Sequence, residues 1–160
     1  FSCENKRKAL AGMHSFSGND YVSSFFRKGK KVMWKLILQN EEYIETFSNL
    51  GLFPSVTEEV CESLENFVCQ LYGYKNESSV DKVRFKMFQT KGIQDLFLLP
   101  PCKSNLKFHI MRANYVANMY VNAVRLNCLD DYTEHGWRED GTVEWDENYF
   151  KRYGKYIYWL

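Results

Sequence analysis

One carboxylate and a cluster of cations stand close together near the N-terminus. The stretch Phe16-Ser17-Gly18-Asn19-Asp20-Tyr21 is followed by Phe25-Phe26-Arg27-Lys28-Gly29-Lys30-Lys31 and the apolar run Val32–Leu38. Asp20 follows a glycine break, where a side-chain oxygen can cap a helix or contribute one ligand to a divalent cation. Metal-assisted phosphodiester chemistry needs several such carboxylates to polarise the phosphate and activate water, so Asp20 alone is a partial set. Residues 27–35 carry Arg27, Lys28, Lys30, Lys31 and Lys35 with no acid among them. A glycine turn entering a helix, with lysines on both sides, suits a phosphate, because backbone N–H groups and the helix terminus add to the side-chain charge. The alternatives are a plain helix cap for Asp20 and a solvated basic face for the cations.

Other chemistry-bearing residues are sparser. His109 and Cys102 have the types of a thiol nucleophile and its base, but no orienting Asn or Asp accompanies them. Packing on a long helix, and capping of Pro100-Pro101, is the expected role of His109, Arg112 and Tyr115. Asp130, Asp131, Glu134 and His135 have metal-ligand types, with an acidic surface turn as the simpler reading. The aromatic and basic residues from Tyr149 to Trp159 suit base stacking, core packing or an interface equally.

The elements that position these residues read as helices. Residues 6–16 place Ala9, Leu10, Met13 and Phe16 on one face. Asp20 is expected to cap a short helix through Phe26, and Lys31–Gln39 forms the next, with Val32, Met33, Leu36 and Ile37 inward. Tyr43, Ile44, Phe47 and Leu50 mark another helix, stopped by Gly51 and Pro54. Residues 56–72 are expected to open on a Ser55/Glu58 capping box and to bury Val60, Cys61, Leu64, Phe67, Val68 and Leu71, with Gly73 closing the helix. Ser78 or Ser79 opens a helix bearing Val80, Val83, Met87 and Phe88, with Gly92 at its end. Residues 104–124 form the longest helix, with a seam of Leu106, Ile110, Ala113, Ala117, Tyr120 and Val124. Beyond Cys128, Trp137 to Trp145 around Asp140-Gly141 predicts a β-hairpin, and Tyr149 to Trp159 a terminal helix.

The expected fold is therefore mainly α: a multi-helix domain with a helix-turn-helix hairpin over residues 20–39 and a small β-hairpin near the C-terminus. Residues 1–128 form the helical body, and 129–160 an aromatic-rich extension packed on it.

Composition bounds the rest. A chain of 160 residues with 45% hydrophobic content is long enough to bury one core. The net charge of +1 averages over a dipolar sequence, since residues 130–147 hold eight acids against Arg138 alone. Cys3, Cys61, Cys69, Cys102 and Cys128 are irregularly spaced. Cys61 and Cys69 lie about 12 Å apart along one helix, beyond disulfide reach. Reduced, mostly buried thiols in an intracellular protein are expected. No apolar run approaches the ~18 residues of a membrane span. The start at Phe1 rather than Met suggests a fragment of a longer protein.

The Gly18-Asn19-Asp20-Tyr21 element, with Phe25–Gly29, Lys31 and the helix to Ile37, resembles the metal-binding Asp and helix-hairpin of flap-endonuclease-like nucleases of the PIN superfamily. Those carry Gly-x-Asp-Tyr followed by Gly-x-Gly-Pro-Lys and a helix. Gly29 and Lys31 match the second glycine and the lysine, while Arg27 replaces the first glycine and Lys30 the proline. Over residues 9–145 the chain resembles transposon-associated animal proteins that pair such a region with a tesmin-type CXC zinc domain. The shared landmarks are Gly18–Asp20, Phe25-Phe26, Gly29-Lys30-Lys31, Trp34, Phe67–Tyr72, Leu99-Pro100-Pro101, Leu106, His109, Arg112-Ala113, Tyr115, Gly136-Trp137 and Trp145. These 160 residues contain no cysteine-rich CXC segment and no upstream acidic motifs of a PIN fold.

The resemblance implies the nucleic-acid-binding helical portion of a metal-dependent nuclease-like domain, not catalytic alone. Arg27, Lys28, Gly29, Lys30, Lys31 and Lys35 would contact a DNA or RNA backbone. Asp20 would ligate Mg²⁺ or Mn²⁺ only with acids from outside the chain, and the location would be nuclear. The competing expectation is a non-catalytic helical module that holds a protein partner or a second copy through the long-helix seam and the aromatic tail.

Overall fold

The computed structural model describes residues 3–91, 96–123 and 131–139. Six α-helices follow one another among them: α1 (Cys3–Phe16), α2 (Lys30–Ile37), α3 (Glu41–Asn49), α4 (Glu58–Leu71), α5 (Val80–Lys91) and α6 (Lys103–Val121). Short 3-10 turns occupy Leu96–Leu98 and Tyr132–His135. No strand occurs among the described residues, and the fold is mainly α as the periodicity predicts. The expected hairpin past Glu139 and the terminal helix lie outside the described residues, as do Cys128, Gly92 and Val124.

The core is organised around Phe16 at the end of α1. Its ring lies 5.5 Å from Phe47 of α3, 6.1 Å from Phe67 of α4, 5.2 Å from Phe25 and 4.9 Å from His109 of α6. Mostly edge-to-face ring geometry supports this packing, because aromatic quadrupoles favour it. Helix α1 lies mainly against α3 and α6. Close approach to α3 needs Gly12, where a Cβ would stand 2.1 Å from the Phe47 carbonyl oxygen.

Helix α6 also holds the loop between α3 and α4. Asn114 Oδ1 accepts from the Gly51 N–H at 2.8 Å, and Asn114 Nδ2 donates to the Phe53 carbonyl at 2.9 Å. Asn118 Nδ2 donates to the Gly51 carbonyl at 2.8 Å. These side-chain amides satisfy loop backbone that would otherwise be stranded against the helix.

Several helix termini differ from expectation. Thr57, not Ser55, caps α4, its hydroxyl accepting from Val60 N–H, with Glu58 and Glu59 in the first turn. Helix α5 starts directly after Ser79, as expected, but its first amide is met by a carboxylate. Buried Glu65 reaches from α4 to accept from Val80 N–H at 3.1 Å, and its other oxygen lies 3.2 Å from Lys103 Nζ. Gly73, at φ +92, ends α4 in the left-handed geometry expected of it.

Some expected core positions face outward. Leu10, Val32, Phe88 and Tyr120 are exposed, because each helix buries a narrower stripe than its apolar residues span. Ala9, Met13, Phe16, Met33, Ile37 and the α3 set Tyr43, Ile44, Phe47 and Leu50 are buried. The α6 seam of Leu106, Ile110, Ala113 and Ala117 is buried inside the domain. Four described cysteines are free; Cys69 is buried, Cys61 and Cys102 half-buried and Cys3 exposed, so burial of the thiols is less complete than expected.

Candidate nucleic-acid interface

Residues 18–29 form no helix, and the expected helix-turn-helix is a loop leading into α2. The reason is local. Gly18 sits at φ +104, and its missing Cβ leaves room for Ser24, whose Cβ would otherwise lie 2.6 Å away. Asn19 then turns the chain with its own side chain: Oδ1 accepts from Tyr21 N–H at 2.8 Å and Val22 N–H at 3.1 Å. Such side-chain-to-backbone bonds compete with helix formation. Asn19, not Asp20, thus organises the segment. Val22 and Phe25 turn inward to the core, and Asp20 and Tyr21 stay exposed. Asp20 caps no helix.

A second turn follows. Lys28 N–H donates to the Phe25 carbonyl at 3.0 Å, and Arg27 adopts φ +56, the one positive φ outside glycine among the described residues. This left-handed backbone falls where the resembled motif has its first glycine, the residue that adopts it most readily. Gly29 itself has an ordinary φ of −73 with open space around its Cα, and serves as N-cap of α2 without a side-chain bond.

The cations divide by environment. Lys30 reaches back across the loop, its ammonium donating to the Gly18 carbonyl at 2.6 Å and the Ser17 hydroxyl at 3.1 Å. Lys28 lies half-buried with its ammonium 4.9 Å from the centre of the Tyr72 ring. The Arg27 guanidinium lies 5.1 Å from the centre of the exposed Phe26 ring. Arg27, Lys31 and Lys35 are exposed and make no ion pair with a described residue.

The structure therefore brings the Asp20 segment and the basic turn together, through Lys30. It also adds residues that the sequence reading did not single out. Arg7 and His14 of α1 join Lys30 and Tyr120 around an open cleft of about 520 Å³. Their spacing of two helical turns was the available signal.

Two buried side-chain polar atoms among the described residues lack a hydrogen-bond partner, Asn19 Nδ2 and the Tyr72 hydroxyl. Asn19 opens the loop, and the Tyr72 ring lies beside Lys28. Burial pushes the Tyr72 phenol well above its ordinary value, so it stays neutral.

No group of three His, Cys, Asp or Glu residues able to hold a metal occurs among the described residues. Of the acidic segment, Asp131 accepts from Thr133 N–H, which holds its carboxyl below the ordinary range, and His135 is buried against Tyr115 with ring centres 4.8 Å apart. Asp20 thus offers one carboxylate and no described companion set for Mg²⁺ or Mn²⁺.

His109 is not a thiol's base. Its Nε2 donates to the Phe16 carbonyl at 2.9 Å, and since that oxygen can only accept, Nδ1 accepts from Ser23 Oγ at 3.2 Å. Burial, reinforced by the Arg112 cation, lowers its pKa from 6.5 to about 3. It is a neutral pin between α1, the loop and α6. Arg84 donates to the Pro100 carbonyl, while Arg112 donates to the Gly136 carbonyl at 3.0 Å.

Comparison of the chain with protein-family models, curated proteins and solved structures found no match. No helix among the described residues is long and apolar enough to cross a membrane.

Proposed function

We propose that this chain is the nucleic-acid-binding helical portion of a metal-dependent nuclease-like domain, not catalytic by itself. The observation that carries the reading is the Lys30 ammonium on the Gly18 carbonyl, which ties the basic turn to the segment bearing Asp20. A phosphate strand laid along the turn then meets the exposed Arg27, Lys31 and Lys35, and the Lys30 bond holds the segment that bears Asp20 to the same turn. Lys30 acts as a strut and Lys28 is drawn toward Tyr72, so the phosphate contacts fall to the other three cations. A buried unpaired amide at Asn19, another unpaired polar atom on the Tyr72 ring beside Lys28, and a left-handed Arg27 are costs of the kind that gather at functional sites. Asp20 supplies one ligand to Mg²⁺ or Mn²⁺ only when acids from outside this chain join it. A DNA target makes the nucleus the site of action.

Binding is backbone-directed, so it is sequence-indifferent and steeply salt-dependent. The test is a salt titration of affinity for a short DNA duplex. Lys31→Ala and Lys35→Ala should each flatten the slope of log K against log salt by about 0.9. Unchanged slopes in both variants remove the turn as the phosphate contact.

A second reading, a protein-interaction module, draws on Phe85 and Phe88, which stand 62% and 59% exposed on α5. Leu106, Ile110, Ala113 and Ala117 of the α6 seam are buried within the domain, which leaves Tyr120 as its exposed member among the described residues. Size-exclusion chromatography separates the two readings: oligomers dissolved by Phe85→Ser and Phe88→Ser, without duplex affinity, favour the module.

A further inference from the structure

We propose that Phe26 is a stacking platform for an unpaired base, which makes single-stranded nucleic acid a ligand of the basic turn. The inference rests on the backbone-binding reading above and names the ligand that the same site takes.

Adjacent phenylalanines are treated in opposite ways by the fold. Phe25 is buried against Phe16 and His109, whereas Phe26 is 42% exposed at the tip of the turn. The next residue, Arg27, takes φ +56, and its guanidinium lies 5.1 Å from the Phe26 ring centre. The Phe97 ring lies 6.3 Å away, tilted by 44°. An apolar ring left in water, buttressed by a second ring and a guanidinium, is a preformed surface for a flat partner. The partner's other chemistry follows from the neighbours. Lys31 and Lys35 stand exposed on the helix that this turn begins, so the charge complement is a polyanion. A flat aromatic group repeated along a polyanion describes a nucleic-acid strand with its bases unpaired. Every base offers a π-face, so the contact is tolerant of sequence. In a duplex the bases are stacked on one another, and only the phosphates reach the turn.

The experiment compares wild type, Phe26→Ala, Phe26→Tyr and Lys31→Ala on a single-stranded DNA carrying 2-aminopurine, on RNA of the same sequence and on the matching duplex. Phe26 is exposed, so the variants should fold with the wild-type melting temperature. The proposal expects 2-aminopurine fluorescence to change when wild type binds the single strand. Phe26→Ala should weaken single-strand binding roughly tenfold and abolish that change, with duplex affinity kept within about twofold. Phe26→Tyr should behave as wild type, and Lys31→Ala should weaken both ligands. Equal loss on single strand and duplex in Phe26→Ala, or no loss on either, overturns the stacking role. Wild type that binds duplex with no fluorescence change on the single strand overturns stacking and leaves the backbone reading standing. Wild type that binds neither overturns both.

Discussion

The Lys30 ammonium lies 2.6 Å from the Gly18 carbonyl oxygen, joining the start of α2 to the end of α1 across a twelve-residue sequence separation. A charge-assisted bond of this kind fixes a loop that has no helix of its own. It also removes Lys30 from the cations free to meet a phosphate. Lys30→Met keeps the aliphatic stem and deletes the bond. Urea unfolding should show a loss of about 1 kcal/mol, small because Lys30 is solvent-exposed. Amide exchange should quicken at Asn19 to Val22. Exchange unchanged there would mean that the loop is held by the Asn19 turn alone.

Two glycines flanking the loop should respond unequally. Gly18→Ala places a Cβ 2.6 Å from the Ser24 Cβ and 2.7 Å from its Cα, at φ +104. The combined clash and backbone strain should cost more than about 2 kcal/mol. Gly29→Ala meets no atom within 4 Å at an ordinary φ, so its effect should stay within about 0.5 kcal/mol. Equal losses in the two variants would contradict the loop geometry.

Arg27→Gly separates backbone from charge. Relief of the left-handed conformation offsets the extra freedom of glycine and the lost ring contact, so stability should change by less than about 0.5 kcal/mol. Duplex affinity should nevertheless fall, with the salt slope reduced by about 0.9. Arg27→Val, β-branched at positive φ, should instead destabilise by about 1–2 kcal/mol. An Arg27→Gly variant with full affinity would show that the guanidinium serves only the fold.

His109 makes stability depend on pH with a defined sign. Its folded pKa of about 3 lies below its ordinary 6.5, so between those values the unfolded chain binds a proton that the folded chain refuses. The stabilisation is complete above pH 6.5 and is lost as pH falls toward 3, at up to about 1.4 kcal/mol per pH unit. The difference in stability between wild type and His109→Gln should therefore shrink over that window. A constant difference from neutral to acid pH would mean that His109 titrates normally in the folded state.

Helix α3 was fully legible in the sequence, because Tyr43, Ile44, Phe47 and Leu50 recur on one face and all four are buried. The cap of α4 was misplaced by two residues, since Ser55 and Thr57 are both capping types followed by a Glu. The start of α5 directly after Ser79 was legible, but its capping partner was not, because Glu65, fifteen residues upstream, supplies the oxygen. Within the loop from Gly18 to Gly29 the sequence predicts a short helix from Asp20 through Phe26, because Asp20 is a good capping type and Val22, Phe25 and Phe26 are apolar. What decided the outcome was the Asn19 carboxamide turning back on its own chain, together with the positive φ of Gly18 and Arg27. Of the candidate site, the cations were visible from their clustering. Their division into a strut, a ring-bound lysine and three exposed charges depends on long-range contacts to Gly18 and Tyr72, which no local pattern encodes.

The juxtaposition of the Asp20 segment with the basic turn is tested most directly by amide chemical-shift mapping during titration with a short DNA duplex at low salt. Perturbations at Gly18 to Tyr21 and at Arg27 to Lys31, saturating together and disappearing together as salt rises, are the expected result. Shifts confined to α5 around Phe85 and Phe88, or movement of the basic turn with residues 18–21 unaffected, would contradict the account.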